Sequence, residues 1–316
     1  MKHRFAGIAI ISLLFLLYFG GCERSSNMAT QPGQNTPVAI QDQTAMGGMI
    51  AADPLFTTDA TALSDADPSL AKTDTTVMPA GWGRKIQNSS RTVTYLQVND
   101  STVVATVTNT LTGQVWIRVK QTPKDTIIYK PLAETIVHKV EFMRVPLPRF
   151  SQLSNWKMVA VSGSQGGTTN LGISIQNVTL FIGTDTVQLS NPLDSLYQIP
   201  NGSMNRHWGL REMTANPAEL FKVMVTVRSS DPDSDVVTAH RPVWIGIAGR
   251  FVRASMNLVS SVSNGDGTFT RVYQNTWDGS FAGRFNVYVS ALTRQSIYDN
   301  QAPFASQVWG IPFIVQ

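Results

Sequence analysis

The sequence contains one cysteine, Cys22, among 316 residues. An intrachain disulfide is therefore impossible, and a metal site made of several cysteines is excluded. The histidines are also few, and His138, His207 and His240 stand isolated, without the short His-x-x-x-His spacing that is typical of zinc sites. The scarcity of these ligands argues against a zinc enzyme.

Charged residues make up only 15% of the chain, and no Lys/Arg-rich cluster with interleaved aromatics indicates a nucleic-acid partner. The formal net charge is +4, and basic residues outnumber acidic ones over 80–316. A mildly basic body could attract anionic lipid or polysaccharide, although ordinary surface charge explains the same balance. We therefore expect no nucleic-acid binding.

Motifs for catalysis are missing as well. The sequence has no Gly-x-Ser-x-Gly nucleophile elbow, and the glycine-containing stretch 164–169 lacks the Gly-Lys-Ser/Thr ending of a phosphate-binding loop. We expect a protein that is not an enzyme. An envelope hydrolase acting on glycan or peptide stays open as the alternative, because distant residues can converge in a fold.

The N-terminus has the organisation of a secretory signal peptide. Lys2 and Arg4 precede an almost unbroken apolar run over 5–19, and the small residues Gly20 and Gly21 follow it. This apolar run is shorter than the roughly 20 residues that span a bilayer. The pattern predicts a secretory signal peptide over residues 1–21, in which Gly20 and Gly21 are the small residues that a cleavage site needs.

The segment Phe19-Gly20-Gly21-Cys22 resembles the lipobox of bacterial lipoproteins. The resemblance implies that the thiol of Cys22 receives a diacylglyceryl group and that the mature chain begins at this residue. Two or more acyl chains anchor a protein stably, so the membrane is an expected partner through Cys22. Glu23 replaces the aspartate that retains enteric lipoproteins at the inner membrane, which favours the outer membrane. The alternatives are an uncleaved anchor and a soluble secreted chain.

Residues 22–79 are rich in Ser, Thr, Gln, Asn, Ala, Asp, Pro and Gly, and no apolar period persists over them. Such a segment buries too little apolar surface to offset the entropy of ordering it. The composition predicts a lipid-anchored, disordered linker.

From about residue 91, short alternating segments rich in Val, Thr, Ile and Tyr are separated by polar turns, as in 102–110 and 221–228. Asn264-Gly265-Asp266-Gly267 is a strong hairpin signal. The fold class we predict is all-β, with two β-sandwich units over 80–212 and 213–316.

The second unit resembles bacterial immunoglobulin-like domains of cell-surface proteins. The residues that carry this resemblance are Gly265-Asp266-Gly267-Thr268-Phe269, Trp277 and the strand Gly283-Arg284-Phe285-Asn286-Val287-Tyr288-Val289. The resemblance implies a sandwich fold and no particular activity.

Two candidate binding features remain. Asp231, Asp233 and Asp235 alternate in one loop, as calcium ligands do, but position six is Val236 and position twelve is Pro242, which do not fit an EF-hand. A polar hairpin turn explains the same residues, and we predict no other cofactor. Trp82 and Trp208 lie in predicted connecting segments, where exposed rings could stack on sugars, as in a calcium-stiffened carbohydrate-binding module.

Together these features predict a lipid-anchored protein of the bacterial cell envelope, most simply of the outer membrane or cell surface. Its function would be non-catalytic binding, adhesion or assembly. Its partner would be an envelope protein, a like subunit or a polysaccharide, and a subunit of a surface filament is a further alternative.

Overall fold

The computed structural model describes residues 37–64, 79–120, 125–145, 155–169, 172–183, 185–199, 214–215, 220–245, 248–278 and 283–315. The predicted signal peptide, with Gly20, Gly21 and Cys22, lies outside these residues. The described helices are α1 Ile40–Ala52, α2 Pro54–Thr57, α3 Asp59–Leu63 and α4 Arg294–Tyr298. None of the helices in the described part of the chain is long and apolar enough to cross a membrane.

Ten strands form the first sheet. Its main path runs β1-β2-β3-β4-β15-β14-β10-β11, while β7 pairs with β4 and β8 pairs with β15. These strands are β1 Pro79–Asn99, β2 Thr102–Val119, β3 Thr126–Arg144, β4 Trp156–Gly167, β7 Leu196–Gln198, β8 Thr214–Ala215, β10 Val236–Ile245, β11 Ala248–Ser255, β14 Gly283–Leu292 and β15 Ser306–Val315.

Five strands form the second sheet, in the order β12-β13-β9-β5-β6. They are β5 Ile173–Ile182, β6 Asp185–Leu189, β9 Leu220–Ser229, β12 Asn257–Ser263 and β13 Phe269–Asp278. The predicted hairpin at Asn264–Gly267 joins β12 to β13, and Gly265 and Gly267 have the positive φ values that its turn requires.

Strands β1, β2 and β3 form a long antiparallel meander at one edge of the first sheet. Its register follows from side-chain alternation, because a strand places every second residue on the same face. On β2, Val103, Ala105 and Val107 are buried, while Thr106 and Thr108 between and beyond them are only half-buried. The face that holds Val103, Ala105 and Val107 packs against the helical residues of the chain and is called the inner face of the meander, and the threonines lie on its outer face.

A hydrophobic core fills the space between the two sheets. Val223, Val225 and Val227 of β9 contribute from the second sheet, and Val287 and Val289 of β14 contribute from the first. All five are at most 1% exposed. Burial of aliphatic side chains between two packed sheets is the arrangement of a β-sandwich, so the predicted all-β sandwich class is confirmed.

The helical segment α1–α3 covers part of the face of the first sheet that is opposite to the second sheet. Met46 and Ile50 lie four residues apart on one side of α1 and are buried with Leu55 and Phe56 against strands β2 and β3. The prediction of a disordered linker over 22–79 is therefore wrong for residues 37–64. The segment has too few apolar side chains to show a helical pattern in the sequence. It is ordered nevertheless, because the sheet supplies the apolar surface that buries those side chains.

The predicted division at 212/213 does not separate two sandwiches. Strand β15 pairs with β4 through Gln307↔Gly167 and with β14 through Leu292↔Ser306, so strands from both sides of the boundary share one sheet. Residues Gln34–Gln316 form one compact unit. A specifically immunoglobulin-like arrangement is not confirmed.

Candidate functional site

The face of the first sheet that is opposite to the second sheet holds a buried polar network around Asp59, the first residue of α3. Its Oδ2 accepts hydrogen bonds from Asn109 Nδ2 at 2.6 Å and lies 2.9 Å from His138 Nε2. The hydroxyl of Tyr288 donates to Oδ1. Asn286 Nδ2 donates to the Tyr288 hydroxyl at 3.0 Å and to the Leu55 carbonyl at 2.8 Å.

This network, which we call the Asp59 network, keeps Asp59 ionised. Burial alone raises the pKa of Asp59, but the charge of His138 and the hydrogen bonds from His138, Tyr288 and Asn109 outweigh it and lower the pKa. Burial raises the pKa of Tyr288 well above its ordinary value, and the Asp59 carboxylate adds to that shift.

An Asp-His pair with a tyrosine is a set of groups that enzymes use for proton transfer. Here Asp59, His138 and Tyr288 are 2%, 1% and 0% exposed, so no substrate reaches them in this conformation. Their contacts connect α3 to β2, β3 and β14. The Asp59 network therefore fixes the helical segment to the sheet.

A second buried cluster lies nearby on the same face. Arg84 pairs with Glu134 at 3.2 Å and donates to the Ser290 hydroxyl at 3.3 Å, and Ser306 donates to Glu134. Arg253 donates to the Trp82 carbonyl, and its guanidinium carbon lies 3.6 Å from the centre of the Trp82 ring. Trp82 is fully buried, which excludes the predicted exposed sugar contact of this residue.

His240 completes this cluster. Its Nδ1 lies 3.0 Å from the Ala62 carbonyl, which only accepts, so Nδ1 carries a proton and Nε2 is left to contact the Thr238 hydroxyl at 3.3 Å. Burial lowers the pKa of His240 well below its ordinary value, and the charges of Arg84 and Arg253 lower it further. The imidazole is therefore neutral at pH 7.

The loop that carries Asp231, Asp233 and Asp235 is held by an arginine. Arg271 Nη1 lies 2.9 Å from Asp235 Oδ2, and its Nη2 donates to the carbonyls of Asp231 and Pro232 at 2.7 and 3.0 Å. Burial raises the pKa of Asp235, which these contacts with Arg271 partly oppose.

These contacts contradict the predicted calcium site. A guanidinium occupies the position beside Asp235 that a cation would need, and Asp231 Oδ1 and Oδ2 accept from the amides of Asp233 and Gln295 at 3.1 and 3.3 Å. Asp233 instead lies 3.5 Å from Arg294. Across the described ranges no group of three His, Cys, Asp or Glu residues could hold a metal ion. The alternative of a polar turn is the one that the structure supports.

A shallow cavity of about 320 Å³ opens beside this loop. Its lining includes Ser230, Asp231, Thr293, Gln295 and Pro303. Asp231 is the single carboxylate of the described lining, whereas hydrolysis of a glycoside uses two. The cavity thus lacks, within its described lining, the acid-base pair of the alternative hydrolase.

An accessible binding feature is the edge strand β12. It pairs with β13 on one side and with no described strand on the other, and all seven of its residues are exposed. Leu258, Val259 and Val262 are 45%, 51% and 61% exposed, and no charged residue lies within Asn257–Ser263. Natural edge strands usually carry charges or proline, which prevent pairing with another chain.

Sequence reasoning missed both the buried networks and this edge. On β3, every second residue faces inward. The polar residues Lys130, Glu134 and His138 occupy such inward positions, on the same face as Ile136 and Val140. Polar residues at apolar positions of an alternating strand are a signal that was available.

No protein-family model matches the chain, and no curated protein and no solved structure matches it either.

Proposed function

We propose that the protein is a lipid-anchored, non-catalytic assembly module of a bacterial cell envelope, and that two copies associate through their β12 strands. The observation that carries the proposal is the exposed and uncharged edge of β12, with its three exposed apolar side chains. The anchor is the predicted lipid on Cys22.

The side chains of β12 suit pairing with a second copy. In an antiparallel pair of identical strands about a two-fold axis, each residue lies close to its own counterpart or to a near neighbour. A charged strand would then place like charges together, which is unfavourable. Asn257–Ser263 avoids this repulsion, and its Leu258, Val259 and Val262 gain apolar contacts.

The strand also has a feature that limits the pairing. The register between β12 and β13 shifts between Leu258 and Ser260, so Val259 is the extra residue of a bulge. Bulges twist an edge away from a partner. The regular part therefore runs over Ser260–Ser263, and an edge this short binds weakly in solution.

A membrane anchor compensates for weak pairing. Proteins held on one surface meet at a higher effective concentration than the same proteins free in solution. The lipid and the edge strand thus act together, and neither is sufficient alone.

The test is a disulfide cross-link on membranes. Ser261→Cys places a thiol on the two-fold axis of a pairing in which Ser260 lies opposite Val262 of the second copy, and opposite Cα atoms there lie about 4.5–5.5 Å apart and can be bridged. We expect Ser261→Cys to form a disulfide-linked dimer under mild oxidation, and Ser261→Cys combined with Val262→Lys to lose most of it.

Gln188→Cys is the matched control, because Gln188 is an exposed residue of β6, the opposite edge of the same sheet. Equal cross-linking through Gln188→Cys, or none through Ser261→Cys, contradicts pairing at β12. Cross-linking of the wild-type chain through Cys22 would instead contradict the lipid anchor, since a sulfur that carries a diacylglyceryl group is a thioether and forms no disulfide.

A further inference from the structure

Two aromatic side chains stand side by side on the outer face of the meander. Trp116 of β2 is directly opposite Tyr129 of β3 in the antiparallel register. Their neighbours Val115, Ile117 and Lys130 are buried on the inner face, so Trp116 and Tyr129 project outward. Directly opposite residues of an antiparallel pair have Cβ atoms about 5 Å apart, so the two side chains occupy one row of this face.

This aromatic pair is open to solvent. Tyr129 is 58% exposed, Trp116 is half-buried, and no described residue forms a hydrogen bond with the Tyr129 hydroxyl. The residue opposite Trp116 on β1 is Gly83, which has no side chain to cover the indole. Rings with an apolar face and a polar edge are suited to a ligand that is itself apolar on one face and polar at its rim.

The two adjacent rows of the outer face supply positive charge. One row holds Lys85, Gln114 and Pro131, and the other holds Gly81, Arg118 and Ile127. Lys85 and Arg118 are exposed, and none of the nine residues in the three rows is acidic. Cations on both sides of an aromatic pair favour an anionic ligand.

The pair lies at the end of the meander away from the first described residues of the chain. The described chain begins beside Val103 and Phe142, where Val38 is buried and Asp42 contacts Arg144 at 3.4 Å. Trp116 lies twelve residues further along β2 than Val104, or about 40 Å at 3.4 Å per residue. The aromatic pair and the first described residues therefore lie at opposite ends of the meander, and the binding experiment separates polysaccharide from lipid.

We propose that Trp116 and Tyr129, flanked by Lys85 and Arg118, form a binding site for an acidic polysaccharide. The C–H face of a sugar ring stacks on the aromatic rings, while its carboxylates meet the two cations and its hydroxyls meet Gln114 and the Tyr129 hydroxyl. The site lies on the first sheet, apart from the β12 edge of the second sheet.

Calorimetry tests the site on the full-length, lipidated protein in nanodiscs of neutral lipid. The probes are oligomers of galacturonate and, as the uncharged counterpart, oligomers of dextran. We expect galacturonate oligomers to bind and dextran oligomers to bind at least about tenfold more weakly, with the galacturonate affinity falling as salt rises.

Trp116→Ala and Tyr129→Ala should each weaken galacturonate binding by about tenfold or more, as the loss of a central aromatic contact does. Lys85→Gln should weaken it less and reduce its salt dependence. Leu96→Ala is the matched control, because Leu96 is 53% exposed on the outer face at the other end of the meander. An unchanged melting temperature shows that each variant folds, and Tyr129→Ala carries the test if Trp116→Ala does not fold.

Three results overturn the site: no binding of galacturonate by the wild type, equal binding of dextran, or unchanged binding by both aromatic variants. A fourth result assigns it to lipid, namely fluorescence quenching by brominated phosphatidylglycerol in the discs that disappears in Trp116→Ala. All four leave cross-linking at β12 unaffected, so failure here is distinct from failure of the proposed function.

Discussion

Asp59 Oδ2 and His138 Nε2 lie 2.9 Å apart in the interior, and this contact connects helix α3 to strand β3 across 79 residues of chain. Both side chains are at most 2% exposed. A contact of this kind holds the helical segment against the sheet, and breaking it leaves a buried group without its partner.

Asp59→Ala should therefore destabilise the protein by about 3 kcal/mol, because His138, Tyr288 and Asn109 lose their shared acceptor. Urea denaturation followed by circular dichroism measures the loss. Asp42→Ala is the control, since Asp42 and Arg144 form a partly exposed pair at 3.4 Å that should contribute less than about 1 kcal/mol. Equal losses in the two variants would show that the Asp59 network is not a structural anchor.

His240 should make stability fall in mild acid. The pKa of His240 is far below its ordinary value in the folded protein, so below about pH 6.5 the unfolded chain takes up a proton that the folded one does not. The free energy of unfolding should then fall by about 1.4 kcal/mol per pH unit until the folded-state pKa is reached.

Urea denaturation at pH 7.5, 6.5 and 5.5 measures this slope, and His240→Gln should reduce it. Asp59, whose pKa is also lowered, contributes at lower pH: its stabilisation is complete above the ordinary pKa of about 4 and is lost as the pH falls through the folded-state value. An unchanged slope between pH 6.5 and 5.5 in His240→Gln would contradict a buried neutral imidazole.

Lys130 should keep helix α4 and the turn after it ordered. Its amine donates to the carbonyls of Ser296, Asp299 and Ala302 at 2.8, 2.5 and 2.8 Å. Lys130→Met removes three donors while keeping the length of the side chain, and amide hydrogen exchange over 294–302 should accelerate. Lys139→Met, which breaks an exposed contact with Asp194, is the control and should leave that segment unchanged.

The junction of β3, β4 and β15 should not tolerate a side chain at Gly167. This residue has a φ of +136°, and a Cβ added to it would lie 2.2 Å from the Ser306 carbonyl oxygen. Gly265 also has a positive φ, +78°, but has open space around it. Gly265→Ala should cost about 1 kcal/mol and Gly167→Ala clearly more, measured as melting temperature. Equal losses of melting temperature in the two variants would mean that the backbone at this junction shifts to make room for the added Cβ.

The strands could be predicted because alternation and turn residues act locally. The segments 102–110 and 221–228 and the hairpin at Asn264–Gly267 all lie where the pattern placed them. The helical segment could not be predicted, because α1 has two adjacent glycines and its burial of Met46 and Ile50 depends on a sheet formed by residues much later in the chain. Local pattern contains no information about that distant surface.

The pairing of the buried charges could not be predicted from the sequence either. Arg84 meets Glu134 across 50 residues and Ser290 across 206, and no spacing rule connects such distant positions. The loop Asp231–Asp235 shows the opposite error: its alternating carboxylates suggested calcium, whereas Arg271, 36 residues after Asp235, supplies the positive charge. Local spacing shows which groups are close along the chain, but it does not show which distant residue each group pairs with.

The lipid anchor is the claim on which the proposed assembly depends most directly. The measurement is the intact mass and detergent partition of the full-length protein expressed in a bacterium, beside Cys22→Ala. We expect the wild type to enter the detergent phase as a chain that begins at Cys22 and carries a lipid mass, and the variant to lack both properties. A wild-type chain that is unmodified and stays in the aqueous phase would contradict the anchor, and with it the membrane-assisted pairing of β12.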